Sequence, residues 1–117
     1  MPAPDLDILL SPCTVGGLEL PNRFVMSPMT RRRAVSGVPL PEVADYYRRR
    51  VEGGVGLIIT EGVGISHPTA VGWTGVDSDE IPHLYGEEAL ASWKRIVDTI
   101  HAAGGKVAPQ LWHQGAM

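Results

Sequence analysis

Apolar positions along the chain fall into short runs, with glycine and proline between them. Their period changes from one run to the next, and that change predicts the elements. Residues 1–12 show no period and end at Pro12, which predicts an extended lead-in. In CTVGGLELP, residues 13–21, apolar positions flank Gly16-Gly17, the pattern of a short hairpin around a glycine turn. Phe24-Val25-Met26, stopped by Ser27-Pro28, predicts a short buried strand over roughly 22–27. Residues 31–41 are basic and then contain glycine and proline, so a loop is expected. Pro41 followed by Glu42 suits a helix start. Val43, Tyr47, Arg50 and Val51 continue at helical spacing, and Gly53-Gly54 ends the helix.

Val55 to Thr60 is a nearly continuous apolar run, the signature of a parallel strand buried on both faces. Residues 62–86 have no period and predict a long loop, a length that favours a functional or partner-covering role. A second helix is expected from Gly86, with Ala89, Leu90, Trp93, Ile96, Val97 and Ile100 as its apolar stripe. Gly104-Gly105 stops it, and Lys106 to Trp112 reads as a third strand. Pro109 removes a ladder donor inside that strand, so a local irregularity is expected there. Trp93 and Met26 read as packing residues.

The order hairpin, β, α, β, α, β implies two βαβ crossovers and therefore parallel strands. The fold class is α/β, and the chain reads as one unit over 1–117: lead-in and hairpin over 1–21, βαβαβ over 22–117. Two architectures compete. A dinucleotide-binding sheet needs GxGxxG opening a helix after its first strand. The nearest match, Gly62-Val63-Gly64-Ile65-Ser66-His67, has histidine for the third glycine and Pro68 after it. GxxxxGK[ST] is absent. In a (β/α)8 TIM barrel, function sits at the C-terminal ends of the strands. Those ends here are Ser27-Pro28-Met29-Thr30-Arg31, Thr60-Glu61-Gly62 and Gln110-Leu111-Trp112-His113. They carry polar and aromatic groups suited to a flat heteroaromatic ligand, which favours part of such a barrel.

Composition narrows the function classes. Over 117 residues the net charge is −3, so no global field attracts nucleic acid or an anionic membrane. Arg31-Arg32-Arg33 and Arg48-Arg49-Arg50 lack interleaved aromatics, and ion pairing on a solvated face or barrel rim is the expected role. The single cysteine, Cys13, points to a reducing, cytoplasmic setting. No signal peptide or membrane span is expected. His67, His83, His101 and His113 show no metal-ligand spacing.

Four segments, NRFVMSPMTRRRA (22–34), YYRRRVEGGVGLIITEGVGIS (46–66), GEEALASWKRIVDTIHAAGGK (86–106) and APQLWHQGA (108–116), resemble the Old Yellow Enzyme family. These are FMN-dependent NAD(P)H oxidoreductases, many of which reduce activated C=C bonds. The resemblance implies FMN at the C-terminal mouth of the barrel. It implies that the backbone of Pro28 and Met29 contacts the flavin rings and that the Thr30 hydroxyl donates near the C4 carbonyl and N5. A hydrogen bond there tunes the flavin potential. It implies close approach of Gly62 to the ring, an amide contact from Gln110 to the pyrimidine edge, and Trp112 on the substrate wall. An amide offers the donor and acceptor that the pyrimidine edge requires.

A β/α barrel takes about 250 residues, so this chain supplies only three strands. The family's carbonyl-binding histidine pair, its tyrosine proton donor and its phosphate-holding arginines lie further on, so no catalytic residue is assigned here and His113 is not given that role. The expected substrate is a small enone or nitro compound. The expected partner is the remaining barrel, as a second chain or a swapped copy, with no nucleic acid and no membrane. A second reading stays open: a catalytically inactive fragment or assembly module that associates through open sheet edges.

Overall fold

The computed structural model describes residues 5–71 and 78–115. A four-residue helix, α1 (Asp7–Leu10), replaces the extended lead-in expected over 1–12. Local polar bonding accounts for it: the Asp5 carboxylate accepts from the Asp7 N–H at 2.9 Å, and Leu9 N–H donates to the Leu6 carbonyl at 3.0 Å. β1 (Cys13–Val15) and β2 (Leu18–Leu20) form the expected hairpin, with Cys13 opposite Leu20. Its turn residues Gly16 and Gly17 have φ of 54° and 84°, values that glycine adopts without penalty.

β3 is shorter than expected, only Val25–Met26. The Asn22 side chain holds the preceding segment off the ladder. Its Oδ1 accepts from Phe24 N–H at 3.0 Å, and its Nδ2 donates to the Gly54 carbonyl at 2.6 Å. The loop expected over 31–41 contains a second hairpin, β4 (Ala34–Val35) and β5 (Val38–Pro39). Ser36 and Gly37 turn it with φ of 50° and 74°.

α2 (Glu42–Glu52) begins after Pro41 and ends at Gly53. Val43 and Tyr47 are its buried positions. β6 (Leu57–Gly64) runs four residues past the expected end at Thr60. Glycines 62 and 64 looked like loop punctuation, but each lies under a neighbouring side chain. A Cβ on Gly62 would meet Trp112, and one on Gly64 would meet Val71. Glycine inside a strand often marks such close approach. A 3-10 turn (Ser78–Glu80) and a bridge between Gly64 and His83 bring the chain back to α3 (Glu87–Ala102). In α3 the core stripe is Ala89, Trp93, Ile96 and Ile100, with Ser92 also buried. Leu90, expected in that stripe, is exposed, and the Ser92 hydroxyl points inward to the Pro39 carbonyl at 2.8 Å.

β7 (Val107–Trp112) completes a three-stranded parallel sheet in the order β3-β6-β7. The irregularity expected at Pro109 is present. Ile59 pairs with Ala108 and Gly62 with Gln110, so Thr60 and Glu61 together oppose Pro109. The proline has no N–H to give, and the next one, on Gln110, goes to the Thr60 hydroxyl at 3.3 Å. The core lies between this sheet and the two long helices: Val43, Tyr47, Ile58, Val63, Trp93, Ile96 and Ile100. This is the βαβαβ order read from the sequence, an α/β unit with a parallel sheet.

Candidate functional site

The parallel sheet sends its three C-terminal ends to one edge. Met26 of β3 pairs with Ile58 of β6, and four residues on from these lie Thr30 and Gly62. Gly62 pairs with Gln110, and Gly64 with Trp112. Pro28, Met29, Thr30, Gly62, Gln110 and Trp112 therefore all belong to this edge. Met29, Thr30 and Gln110 are exposed, Pro28 and Trp112 half-buried, and Gly62 buried. Among the described residues, the Thr30 hydroxyl and the Gln110 amide have no hydrogen-bond partner. One hydroxyl and one amide thus stand open, together able to donate and accept.

Gly62 lies against a neighbouring side chain. The space that a Cβ would fill is taken by the Trp112 indole, with Cε3 at 2.4 Å and Cδ2 at 2.8 Å from the Cβ position. The indole lies over the glycine, which joins these two positions into one surface. The edge is an open one. A groove of about 610 Å³ beside it, between residues 31–33 and α2, is lined by Arg31, Arg33, Arg49, Arg50, Tyr46, Asp45 and Glu42 and includes none of the six.

Beneath the edge lies a charged cluster that sequence reasoning missed. Glu61 is 1% exposed. Its carboxylate accepts from Arg31 twice, Oε1 from Nη2 at 3.1 Å and Oε2 from the backbone N–H at 3.3 Å. The Glu61 N–H donates to the Tyr47 hydroxyl at 3.0 Å. The Arg31 guanidinium lies 3.5 Å from the centre of the Tyr46 ring, and Arg50 sits at the same distance from that ring. Burial pushes the Glu61 carboxyl above its ordinary pKa, and the bonds from Arg31 oppose that rise without cancelling it. Burial likewise raises the Tyr47 phenol, with the nearby Glu61 charge adding to it. One signal was available: an acidic residue inside a run otherwise suited to full burial requires a cation or donors nearby. Which of the arginines would supply them was not readable from spacing.

Of the other arginines in the two triplets, Arg32, Arg48 and Arg49 form the expected ion pairs, whereas Arg50 donates to the Tyr46 carbonyl at 2.9 Å and Arg33 has no ion pair among the described residues. Arg48 bonds Asp45, and reaches Glu52 at 2.6 Å; Arg49 meets Asp45 at 2.7 Å, and Arg32 meets Glu80 at 3.6 Å. Two histidines meet beyond the edge, with His113 Nε2 3.3 Å from His67 Nδ1. Gly115 N–H donates to His113 Nδ1 at 2.9 Å. A neutral His113 ring then carries its proton on Nε2, so that atom donates rather than ligates. Among the described residues, no group of three or more His, Cys, Asp or Glu is placed to hold a metal ion. Among them, too, no helix is long and apolar enough to cross a membrane.

Comparison with known proteins gives the family. Residues 8–117 match the model of the NADH:flavin oxidoreductase / NADH oxidase family. The chain is 42% identical over 107 residues to 12-oxophytodienoate reductase 7 of Oryza sativa subsp. japonica, covering 92% of this chain and 25% of that protein. It is 41% identical over 108 residues to chanoclavine-I aldehyde reductase of Penicillium roqueforti, covering 92% of this chain and 28% of that protein. Among solved structures, morphinone reductase in complex with tetrahydroNAD superposes with a TM-score of 0.80 at 41% identity, over 92% of this chain and 27% of its own. The old yellow enzyme homologue from Zymomonas mobilis gives 0.79 at 36% identity, over 92% and 28%. The chain thus spans about a quarter of the length of these relatives. On the family match and these likenesses together, the chain belongs to the NADH:flavin oxidoreductase / NADH oxidase family, the Old Yellow Enzyme family.

Proposed function

We propose that this chain is the N-terminal part, residues 1–117, of an FMN-dependent NAD(P)H oxidoreductase built on a (β/α)8 barrel. Within it, 1–21 form the lead-in and hairpin and 22–117 the first βαβαβ segment. The observation that carries the reading is the open polar pair on the C-terminal edge of the parallel sheet, Thr30 after β3 and Gln110 on β7, on either side of β6. That donor set fits an isoalloxazine: a hydroxyl for its electron-accepting side and an amide for its pyrimidine edge. FMN, when bound, would supply hydride chemistry between NAD(P)H and an electron-poor alkene or a nitro compound.

The chain's own residues bind and orient. The Pro28–Met29 backbone and the Gln110 amide hold the ring system along the strand ends. The Thr30 hydroxyl donates where negative charge gathers on reduction and so tunes the potential. The Trp112 indole, lying on Gly62, shapes the substrate wall. Relatives whose names are reductases of 12-oxophytodienoate and chanoclavine-I aldehyde support reduction of a small organic molecule. The remaining barrel, as later chain, a second chain or a swapped copy, completes the site. The single cysteine supports a cytoplasmic setting.

A second reading rests on a specific observation. Phe24, Val25 and Leu111 are 45%, 49% and 62% exposed, on or beside strands of the sheet. An uncovered apolar sheet associates, and the chain would then be an assembly module without catalysis. Gln110→Ala and Thr30→Ala in the flavin-loaded protein separate the two readings. The first is expected to lose FMN on dialysis, and the second to shift the flavin potential. Full retention with an unmoved potential would remove this edge from the flavin site.

A further inference from the structure

Glu61 holds the two sides of the candidate edge together. Gly62 follows it on β6, and its carboxylate takes both its bonds from Arg31, which follows Thr30. One oxygen accepts from the Arg31 main chain and the other from its side chain. Charge neutralisation alone would be met by the guanidinium; the bond to the backbone N–H fixes the course of the main chain as well. Neither partner is free to swing. The guanidinium is stacked on Tyr46 at 3.5 Å, and the Glu61 N–H is bonded to the Tyr47 hydroxyl of α2 at 3.0 Å. The Glu61 side chain is fully buried, so no water replaces a lost bond at low cost.

We propose that Glu61 is a positioning residue: it clamps the 28–31 segment through Arg31 and so sets where the Thr30 hydroxyl stands against the flavin. The proposal rests on the reading of Thr30 as a flavin contact. Glu61 touches no reacting atom; it acts through Arg31 and Thr30.

Two readouts test it in the flavin-loaded protein that carries this chain. The first is amide hydrogen exchange at Arg31 in wild type and Glu61→Gln. Glutamine keeps the shape and loses the charge and one acceptor oxygen, so Arg31 exchange is expected to quicken at least about tenfold, as for a lost bond to a charged group. The second is the flavin reduction potential in wild type, Glu61→Gln, Thr30→Ala and the double variant. Glu61→Gln is expected to shift the potential, and to shift it no further once Thr30 is alanine. Unchanged Arg31 exchange overturns the clamp. Equal shifts in both Thr30 backgrounds overturn the route through Thr30. If Thr30→Ala leaves the potential unmoved while Arg31 exchange still quickens, the flavin reading fails and the flavin half of the proposal goes with it. Should Glu61→Gln fold poorly because Arg31 is left buried and uncompensated, Glu61→Gln/Arg31→Met removes both charges. Faster exchange at Thr30 in that variant supports the clamp, and unchanged exchange overturns it.

Discussion

Alanine at position 62 would place a methyl group 2.4 Å from Cε3 and 2.8 Å from Cδ2 of the Trp112 indole. Carbon atoms rest about 3.5–4.0 Å apart, so the ring must retreat by about 1 Å. Overpacking of this kind costs about 1–3 kcal/mol. Trp112 ends β7 and is half-buried, so it yields more readily than a core ring, and the lower part of that range, about 1–2 kcal/mol, is expected. The three atoms nearest the new methyl group all belong to this indole. With Trp112→Ala in place, the clash disappears and only the backbone effect of replacing glycine remains, which favours alanine by about 0.5–1 kcal/mol. That backbone effect is common to both backgrounds and cancels, so the two substitutions should couple by the clash alone, about 1–2 kcal/mol. Urea unfolding of wild type, both single variants and the double variant measures this directly. If Gly62→Ala costs the same in both backgrounds, to within about 0.5 kcal/mol, the indole is not what requires glycine at 62.

Tyr47→Phe removes the acceptor of the buried Glu61 N–H, and a loss of about 1–3 kcal/mol is expected by urea unfolding. A change below about 0.5 kcal/mol would show that this bond contributes nothing. The two perturbed carboxylates should act on stability in opposite directions with pH. Burial raises Glu61 above 4.5, so its contribution is full below that pH and is lost as pH rises through the higher folded value. The stability of wild type relative to Glu61→Gln should therefore fall as pH increases across this window; a rise instead would mean that Arg31 outweighs burial. The Arg48 bond lowers Asp45 below 3.8, so its contribution is present above that pH and is lost as pH falls through the lower folded value. Asp45→Asn should remove that acid-side loss, and an unchanged acid limb would count against the pair.

The rhythm of the fold was legible because each element carried its own punctuation. Gly53-Gly54 and Gly104-Gly105 end the helices as read, and the glycine turn at 16–17 closes its hairpin. Pro109 announced the bulge at Thr60 and Glu61 opposite it, since a missing N–H has a local consequence. Features that depend on distant partners were less legible. Gly62 and Gly64 looked like a loop because their reasons for being glycine, Trp112 and Val71, are not neighbours in sequence. Leu90 fits the α3 period, yet the hydroxyl of Ser92 takes the buried side by reaching a carbonyl 53 residues away. Ser36-Gly37 between valines carried a hairpin signal that the surrounding basic and proline residues obscured. At the site, the strand ends named the edge, whereas the pairing of Glu61 with Arg31 required the register of β3 against β6.

The central claim, that this chain forms one wall of a flavin site, is tested most directly by the visible absorbance spectrum across the size-exclusion peak of the purified protein. A flavin spectrum co-eluting with the chain, and diminished by Gln110→Ala, is the expected result. A colourless peak from the protein with the rest of its barrel present and FMN supplied would contradict the claim and leave the assembly reading in its place.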